Sequence, residues 1–156
     1  MAEILKVGAH KRYTFDELKK VFPPSLPHYK ENETRIIKRF IELNILDGDY
    51  VFDFRLPYEL SEREKLFSES EQRMMINLKS MRIDAVVKRH DEIWIIEVAK
   101  GLELSYTGKL LGYTHLYKEL YRPAVPVKMG VVAVDDNSMA RRALEQMGVK
   151  VWIVKP

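Results

Sequence analysis

The sequence contains no cysteine and no long apolar run. Without cysteine the chain has neither a disulfide framework nor a thiolate metal site, so a metal ion must be held by carboxylate, carbonyl or histidine groups. No stretch approaches the roughly 18 consecutive apolar residues that a membrane-spanning helix needs. The first residues also lack the apolar core and the cleavage site of a signal peptide. We therefore expect a soluble, intracellular protein without a membrane partner.

Charge of one sign is not concentrated in any part of the sequence. The 26 basic and 23 acidic residues are interspersed, and they give a net charge of +3. Such a surface favours a polyanionic partner only weakly, so the case for nucleic acid must come from a specific site. The 156 residues suffice for one domain with a hydrophobic core of its own. We expect a single domain that covers residues 1–156.

Hydrophobic periodicity predicts a mixed α/β fold, of the α+β kind with one mixed sheet. Apolar residues recur at helical spacing from Asn32 to Leu43, whereas residues 50–56 alternate as a half-buried strand does. Two more strands, at 81–88 and 93–98, are separated by a short polar segment, which predicts a tight hairpin. The other predicted elements are a helix at 107–121, a strand at 128–134, a helix at 138–147 and a strand at 149–154.

Two segments carry a weaker signal. Residues 1–30 are interpreted as a peripheral lead-in, in which Thr14 caps a short helix that ends before a cluster of prolines. Residues 57–80 are interpreted as an insertion whose structure the pattern does not determine, although a helix after Ser61 is compatible with it. We assign no chemistry to the lead-in.

Two carboxylates interrupt the apolar strands of the hairpin, Asp84 in MRIDAVV and Glu97 in IWIIEVAK. Aspartate in particular is disfavoured inside strands. If the hairpin closes symmetrically about the bond between His90 and Asp91, Asp84 stands directly opposite Glu97. The Cβ atoms of such a pair lie roughly 5 Å apart, where two like charges are destabilising unless a cation lies between them. The register therefore predicts a metal site, and a purely structural role for both acids is the alternative.

Mg²⁺ suits such a pair of carboxylates. The ion binds a few carboxylate oxygens, keeps several waters and takes substrate phosphate oxygens in its remaining positions. It lowers the pKa of water and offsets the negative charge that develops on a phosphate during hydrolysis. The two acids thus predict a hydrolase that acts on phosphate esters, with Mg²⁺ or Mn²⁺ as its cofactor.

The segments RIDAVV, IWIIEV and GKLLGYTHLY resemble the core of the PD-(D/E)XK nucleases, particularly small phage or RecB-like members. The predicted order of helix, three strands, helix and strand is also the core order of that superfamily. The resemblance extends from about Glu33 to Val154, and it implies a restriction-endonuclease-like core followed by a C-terminal helix and strand. It also implies that Asp84 is the aspartate of the motif and Glu97 its second acidic ligand.

The lysine of that motif is displaced in this chain. The family pattern has lysine two residues after the second acid, where this sequence has Ala99 followed by Lys100. By strand alternation Lys100 faces away from Glu97, unless a bulge beside Gly101 turns it back. The other candidate is Lys109, which we expect in the first turn of the next helix, at the edge of its core-facing stripe. Both lysines remain candidates, and a third interpretation is that catalysis has been lost.

The resemblance suggests one more acid and a function. Related nucleases often carry an acid on the first core helix, and Glu33 has that position here, although its favourable place near a helix N-terminus is explanation enough. Glu33 is therefore a candidate third metal ligand. The resemblance implies a divalent-metal-dependent nuclease that hydrolyses phosphodiester bonds, with DNA as the expected substrate. The alternative is a catalytically inactive protein of the same fold that binds nucleic acid, such as a virion or genome-handling component in a host cytoplasm. A homo-oligomer is compatible with either function.

Overall fold

Five strands form one mixed sheet in the computed structural model, which describes residues 10–156. The strands are β1 (Asp49–Arg55), β2 (Arg82–Lys88), β3 (Ile93–Gly101), β4 (Val127–Asp135) and β5 (Val149–Ile153). The helices are α1 (Phe15–Lys20), α2 (Glu31–Glu42), α3 (Glu69–Lys79), α4 (Ser105–Tyr121) and α5 (Ser138–Gln146). Neighbours in the sheet follow chain order, with β1, β2 and β3 antiparallel and β3, β4 and β5 parallel.

Helices cover both faces of this sheet. Helices α1 and α2 pack on one face, where Ile37 and Phe40 are fully buried, and α4 and α5 pack on the other, where Leu110 and Leu144 are. Each such side chain contributes about 1.5–3 kcal/mol to the stability of the fold. The predicted mixed α/β fold is confirmed at this level, and the central strands are buried from both sides.

The predicted order of the core elements is also observed, and the hairpin closes in the predicted register. Pairs run from Lys88 opposite Ile93 to Ala85 opposite Ile96. Two boundaries differ from the prediction by more than one residue. Helix α4 begins at Ser105 rather than at residue 107, and β3 continues through Gly101 instead of ending before it.

The predicted lead-in is only partly visible, because residues 1–9 lie outside the described residues. Thr14 caps α1 as predicted, and Glu17 completes a capping box with it. The expected peripheral position is wrong for Leu18 and Leu26, which are buried in the core. A helix as short as α1 is stable only when it packs in this way.

The insertion at 57–80 contains a short 3₁₀ turn, Glu64–Leu66, and the three-turn helix α3, which Ser68 caps. No residue of α3 is buried, and Met74 and Leu78 are exposed. A helix that packs so little needs no regular apolar stripe, which explains the weak periodicity of this segment. None of the helices within residues 10–156 is both long and apolar enough to cross a bilayer.

Candidate metal centre

The two predicted acids lie where the hairpin ladder opens. Regular pairing stops at Ala85 and Ile96, one position before Asp84 and Glu97. There the backbone N–H of Asp84 donates to Oε1 of Glu97 at 3.4 Å, and the N–H of Val98 donates to Oδ2 of Asp84 at 2.8 Å. The two side chains are thus brought together, but they are not the regular opposed pair that we expected. Each carboxyl instead accepts a hydrogen bond from the backbone of the opposite strand.

A third carboxylate, Asp53 on β1, extends this row across the sheet. The residues that flank Asp53 pair with the residues that flank Asp84, so the two aspartates occupy neighbouring positions. Asp53 has a φ of 50°, in the left-handed region, which aspartate tolerates better than most residues. As a result Phe52 and Phe54, two residues apart, pack on opposite faces of the sheet. Sequence reasoning missed Asp53, although aspartate inside an apolar strand is the signal that singled out Asp84.

Burial dominates the electrostatics of the acid pair. Glu97 is only 6% exposed and Asp84 is half-buried. Loss of hydration raises the pKa of Asp84 to about 6, although the hydrogen bond from Val98 opposes this rise. Burial, followed by the negative charge of Asp84, raises the pKa of Glu97 to about 9. A site with two carboxyls and raised pKa values lacks positive charge, and a divalent cation would supply it.

Tyr29 is hydrogen-bonded to Asp84 and lies within electrostatic range of Glu97, Glu33 and Asp53. Its hydroxyl donates to the backbone carbonyl of Asp84 at 2.6 Å. Burial and then the charges of Asp84, Glu97, Glu33 and Asp53 raise the pKa of this phenol well above its ordinary value. Glu33, the third residue of α2, also raises the pKa of Asp84 through its charge. The third predicted ligand therefore lies within electrostatic range of the pair.

Asp84 and Glu97 could bind a hard divalent ion as a pair of carboxylates, without a third protein ligand. Within residues 10–156 no group of three or more histidine or acidic side chains is close enough to hold a metal ion. Asp84 and Glu97 nevertheless suit Mg²⁺, which proteins usually bind through one or two carboxylates while water and phosphate oxygens complete its coordination. The backbone donors fix the orientation of both carboxyls, as supporting hydrogen bonds do around metal ligands.

Lys109 lies near the acid pair. Its charge lowers the pKa of both Asp84 and Glu97, and its Nζ lies 5.6 Å from the centre of the Tyr106 ring. It belongs to the second turn of α4, not to the first as predicted. The reason is that hydrogen bonds from Tyr106 to Glu103 and from Thr107 to Leu104 start the helix earlier.

Lys100 is exposed at the end of β3. The register between β3 and β4 is unchanged from Ile93 opposite Val127 to Gly101 opposite Asp135, so this stretch contains no inserted residue. The bulge that would turn Lys100 toward Glu97 is therefore not formed. By alternation Lys100 stays on the face opposite Glu97.

Comparisons with known proteins give no match: no family model fits the sequence, and no curated protein or solved structure is significantly similar to it. The centre is accordingly argued from its geometry and chemistry.

Proposed function

We propose that this protein is a divalent-metal-dependent nuclease that hydrolyses phosphodiester bonds, with DNA as its substrate. The observation that carries the proposal is the pair of buried carboxyls, Asp84 and Glu97, at the opening of the hairpin ladder. Their raised pKa values indicate a deficit of positive charge at this point. Such a deficit is typical of sites that bind Mg²⁺ together with phosphate oxygens.

The residues around the pair have distinct roles in this proposal. A bound Mg²⁺ or Mn²⁺ ion supplies charge compensation for the phosphate and lowers the pKa of water. Asp84 and Glu97 hold the ion, and Glu33 adds negative charge on the side of α2. Lys109 is a cation near the acids, suited to orient water or to stabilise charge on the phosphate. Tyr29 fixes the backbone of Asp84.

A second function, nucleic-acid binding without catalysis, is favoured by one observation. The lysine next to the expected motif position, Lys100, faces away from Glu97. If Lys109 does not replace it, the fold retains the acids but lacks the cation that assists hydrolysis.

The test compares cleavage of labelled single-stranded and duplex DNA in Mg²⁺ or Mn²⁺ by the wild type and by Asp84→Asn. Asp91→Asn is the matched control, because Asp91 lies on the same hairpin but its side chain is exposed. We expect Asp84→Asn to lose about 100-fold or more of the rate, as removal of one electrostatic stabiliser does. The control should cleave like the wild type. If the wild type cleaves no faster than Asp84→Asn but still retards DNA in a gel, the binding function replaces the nuclease.

The lysines are tested in the same assay. Lys109→Gln should reduce the rate by about 100-fold while leaving DNA binding measurable, since Lys109 would act on the phosphate in the transition state. Lys118→Gln, on the same helix and exposed, is the control. A comparable loss in Lys100→Gln, with Lys109→Gln active, would assign the role to Lys100.

A further inference from the structure

Two arginines stand directly opposite each other beside the acid row. Arg55 of β1 pairs with Arg82 of β2, two residues along each strand from Asp53 and Asp84. Like charges in directly opposed positions destabilise a sheet unless an anion lies between them. The structure supplies one such anion, the carboxylate of Asp53, whose side chain is 9% exposed.

Arg55, Arg82, Asp53 and His28 form a cluster whose charges do not balance. Arg82 donates to both oxygens of Asp53, at 3.2 and 3.4 Å, and Nε of Arg55 lies 3.8 Å from the same carboxylate. Nε2 of His28 lies 3.7 Å from it and accepts from Nη2 of Arg55 at 3.2 Å, so His28 is an uncharged acceptor for this arginine. One negative charge thus faces two positive ones. Asn77 of α3 accepts from Arg55 through its side chain and from Arg82 through its backbone carbonyl, but these acceptors carry no charge.

Both guanidinium groups remain open to solvent. The side chains of Arg55 and Arg82 are 25% and 24% exposed, whereas that of Asp53 is 9% exposed. Arginine forms paired hydrogen bonds with phosphate oxygens and is weakly hydrated, so it is well suited to bind phosphate at a partly buried site. The cluster therefore has the charge, donors and access that an additional anion requires.

The arginine cluster lies close to the candidate metal centre along β2, and one loop contacts both. Two residues of a strand span about 6.6 Å, so the Cα atoms of Arg82 and Asp84 are about as far apart along β2 as successive phosphates of a nucleic-acid strand. The loop before α2 contacts both places, because His28 touches Asp53 while the next residue, Tyr29, donates to the carbonyl of Asp84.

We propose that Arg55 and Arg82 bind the backbone phosphate next to the one that is cleaved, and so position a nucleic-acid strand over the acid pair. The inference rests on the proposed function for its geometry. It concerns binding rather than cleavage, so the two can fail separately. Backbone phosphate contacts of this kind supply affinity and register without reading sequence.

The test measures binding of a short fluorescein-labelled DNA strand by anisotropy, in Ca²⁺ without Mg²⁺ or Mn²⁺, over a series of salt concentrations. The variant is Arg55→Gln/Arg82→Gln, and the matched control is Lys88→Gln, an exposed cation at the far end of β2. We expect the double variant to lose about tenfold or more in affinity and its salt slope to fall by about 1.4 on a single strand, since each released counterion contributes roughly 0.7 there. Lys88→Gln should change neither quantity.

The arginines also neutralise Asp53, so the double variant must be shown to fold by its thermal midpoint. If it does not fold, Asp53→Asn/Arg82→Gln removes one charge of each sign and keeps the cluster's balance. This second variant should still show weaker, less salt-dependent binding. A folded variant that binds DNA with wild-type affinity and slope would overturn the inference, and so would a wild type that does not bind DNA. DNA binding that depends on both arginines in a protein that never cleaves would support the inference and reject the nuclease.

Discussion

Two buried glutamates on the same hairpin, Glu92 and Glu97, have opposite electrostatics. They are 8% and 6% exposed, respectively. Glu92 accepts from Lys128, Trp94 and Arg89, and these contacts lower its pKa to about 2. Among residues 10–156 no such cation contacts Glu97, and burial raises its pKa to about 9. Burial alone therefore does not determine the state of a buried acid, because its partners do.

The molecule thus contains two kinds of acid withdrawn from solvent, one paired with cations and one not. Glu92 is satisfied within the chain and ties the hairpin to β4 through Lys128. Within residues 10–156, Glu97 and Asp84 accept hydrogen bonds from backbone N–H groups, and burial favours their protonated forms, whose protons a divalent ion can displace. The first arrangement stabilises the fold, whereas the second leaves a place for a ligand.

The largest expected effect is on the pH dependence of stability without metal. The folded-state pKa of Glu97, about 9, and of Asp84, about 6, lie above their ordinary values of 4.5 and 3.8. Folding therefore favours the protonated acids, so this contribution is complete below the ordinary values and is lost as the pH rises through about 6 and then about 9. Each unit of pKa shift corresponds to about 1.4 kcal/mol, so several kcal/mol are at stake.

The measurement is urea unfolding in EDTA across this pH range, with Glu97→Gln for comparison. The variant has no carboxyl to ionise at that position, so its stability should fall less steeply with rising pH. Glu92 has the opposite sign, since its contribution is lost only as the pH falls toward about 2. Equal slopes for the wild type and Glu97→Gln would show that the two glutamates do not differ in this way.

The second prediction concerns the free energy of unfolding when Glu92, the glutamate paired with cations, is replaced. Glu92→Gln should lower the free energy of unfolding at neutral pH by about 3 kcal/mol, because it leaves Arg89 and Lys128 without their anion. Glu97→Gln should instead leave it unchanged or raise it, since the wild-type acid must take up a proton on folding at neutral pH and glutamine need not. Chemical denaturation of the two variants checks this contrast. A larger loss in Glu97→Gln than in Glu92→Gln would invert it.

The acid pair and most of the surrounding elements could be predicted from sequence. The short polar turn set the register of the hairpin, and the apolar strands made Asp84 and Glu97 stand out as a pair. The surrounding helices were predictable because each buries a regular apolar stripe, as α2 does with Ile37 and Phe40. These features depend on local pattern and on burial of one face.

The rest depends on tertiary structure. Asp53 takes a left-handed conformation that reverses the alternation of β1, and no spacing rule reveals such a reversal. Glu92 belongs to the polar segment between the two predicted strands, and no local pattern reveals its role, because its partner Lys128 lies on β4, far away in sequence. Helix α3 escaped prediction because it buries no residue, and helix boundaries such as the start of α4 depend on local hydrogen bonds.

The third prediction concerns the stability that Mg²⁺ adds when it binds the acid pair. At a pH near 8, where Asp84 is ionised, Mg²⁺ should stabilise the wild type by about 2.7 kcal/mol when its concentration is 100 times the Kd. Asp84→Asn should lose this stabilisation, whereas Asp91→Asn, with an exposed side chain on the same hairpin, should keep it. The readout is the thermal midpoint with and without Mg²⁺. A shift of the same size in Asp84→Asn would mean that the ion binds elsewhere.

The smallest effect concerns Asp53, which shares a row with Asp84 but has partners like those of Glu92. Its carboxylate contacts Arg82, Arg55 and His28, so Asp53→Asn should lower the free energy of unfolding by about 2 kcal/mol at neutral pH. The loss should be smaller than in Glu92→Gln, because asparagine tolerates the left-handed conformation and the contacts of Asp53, at 3.2 to 3.8 Å, are longer than those of Glu92, at 2.6 to 2.9 Å. Urea unfolding checks the value. A stabilised variant would instead group Asp53 with Glu97, as a charge that the fold itself does not satisfy.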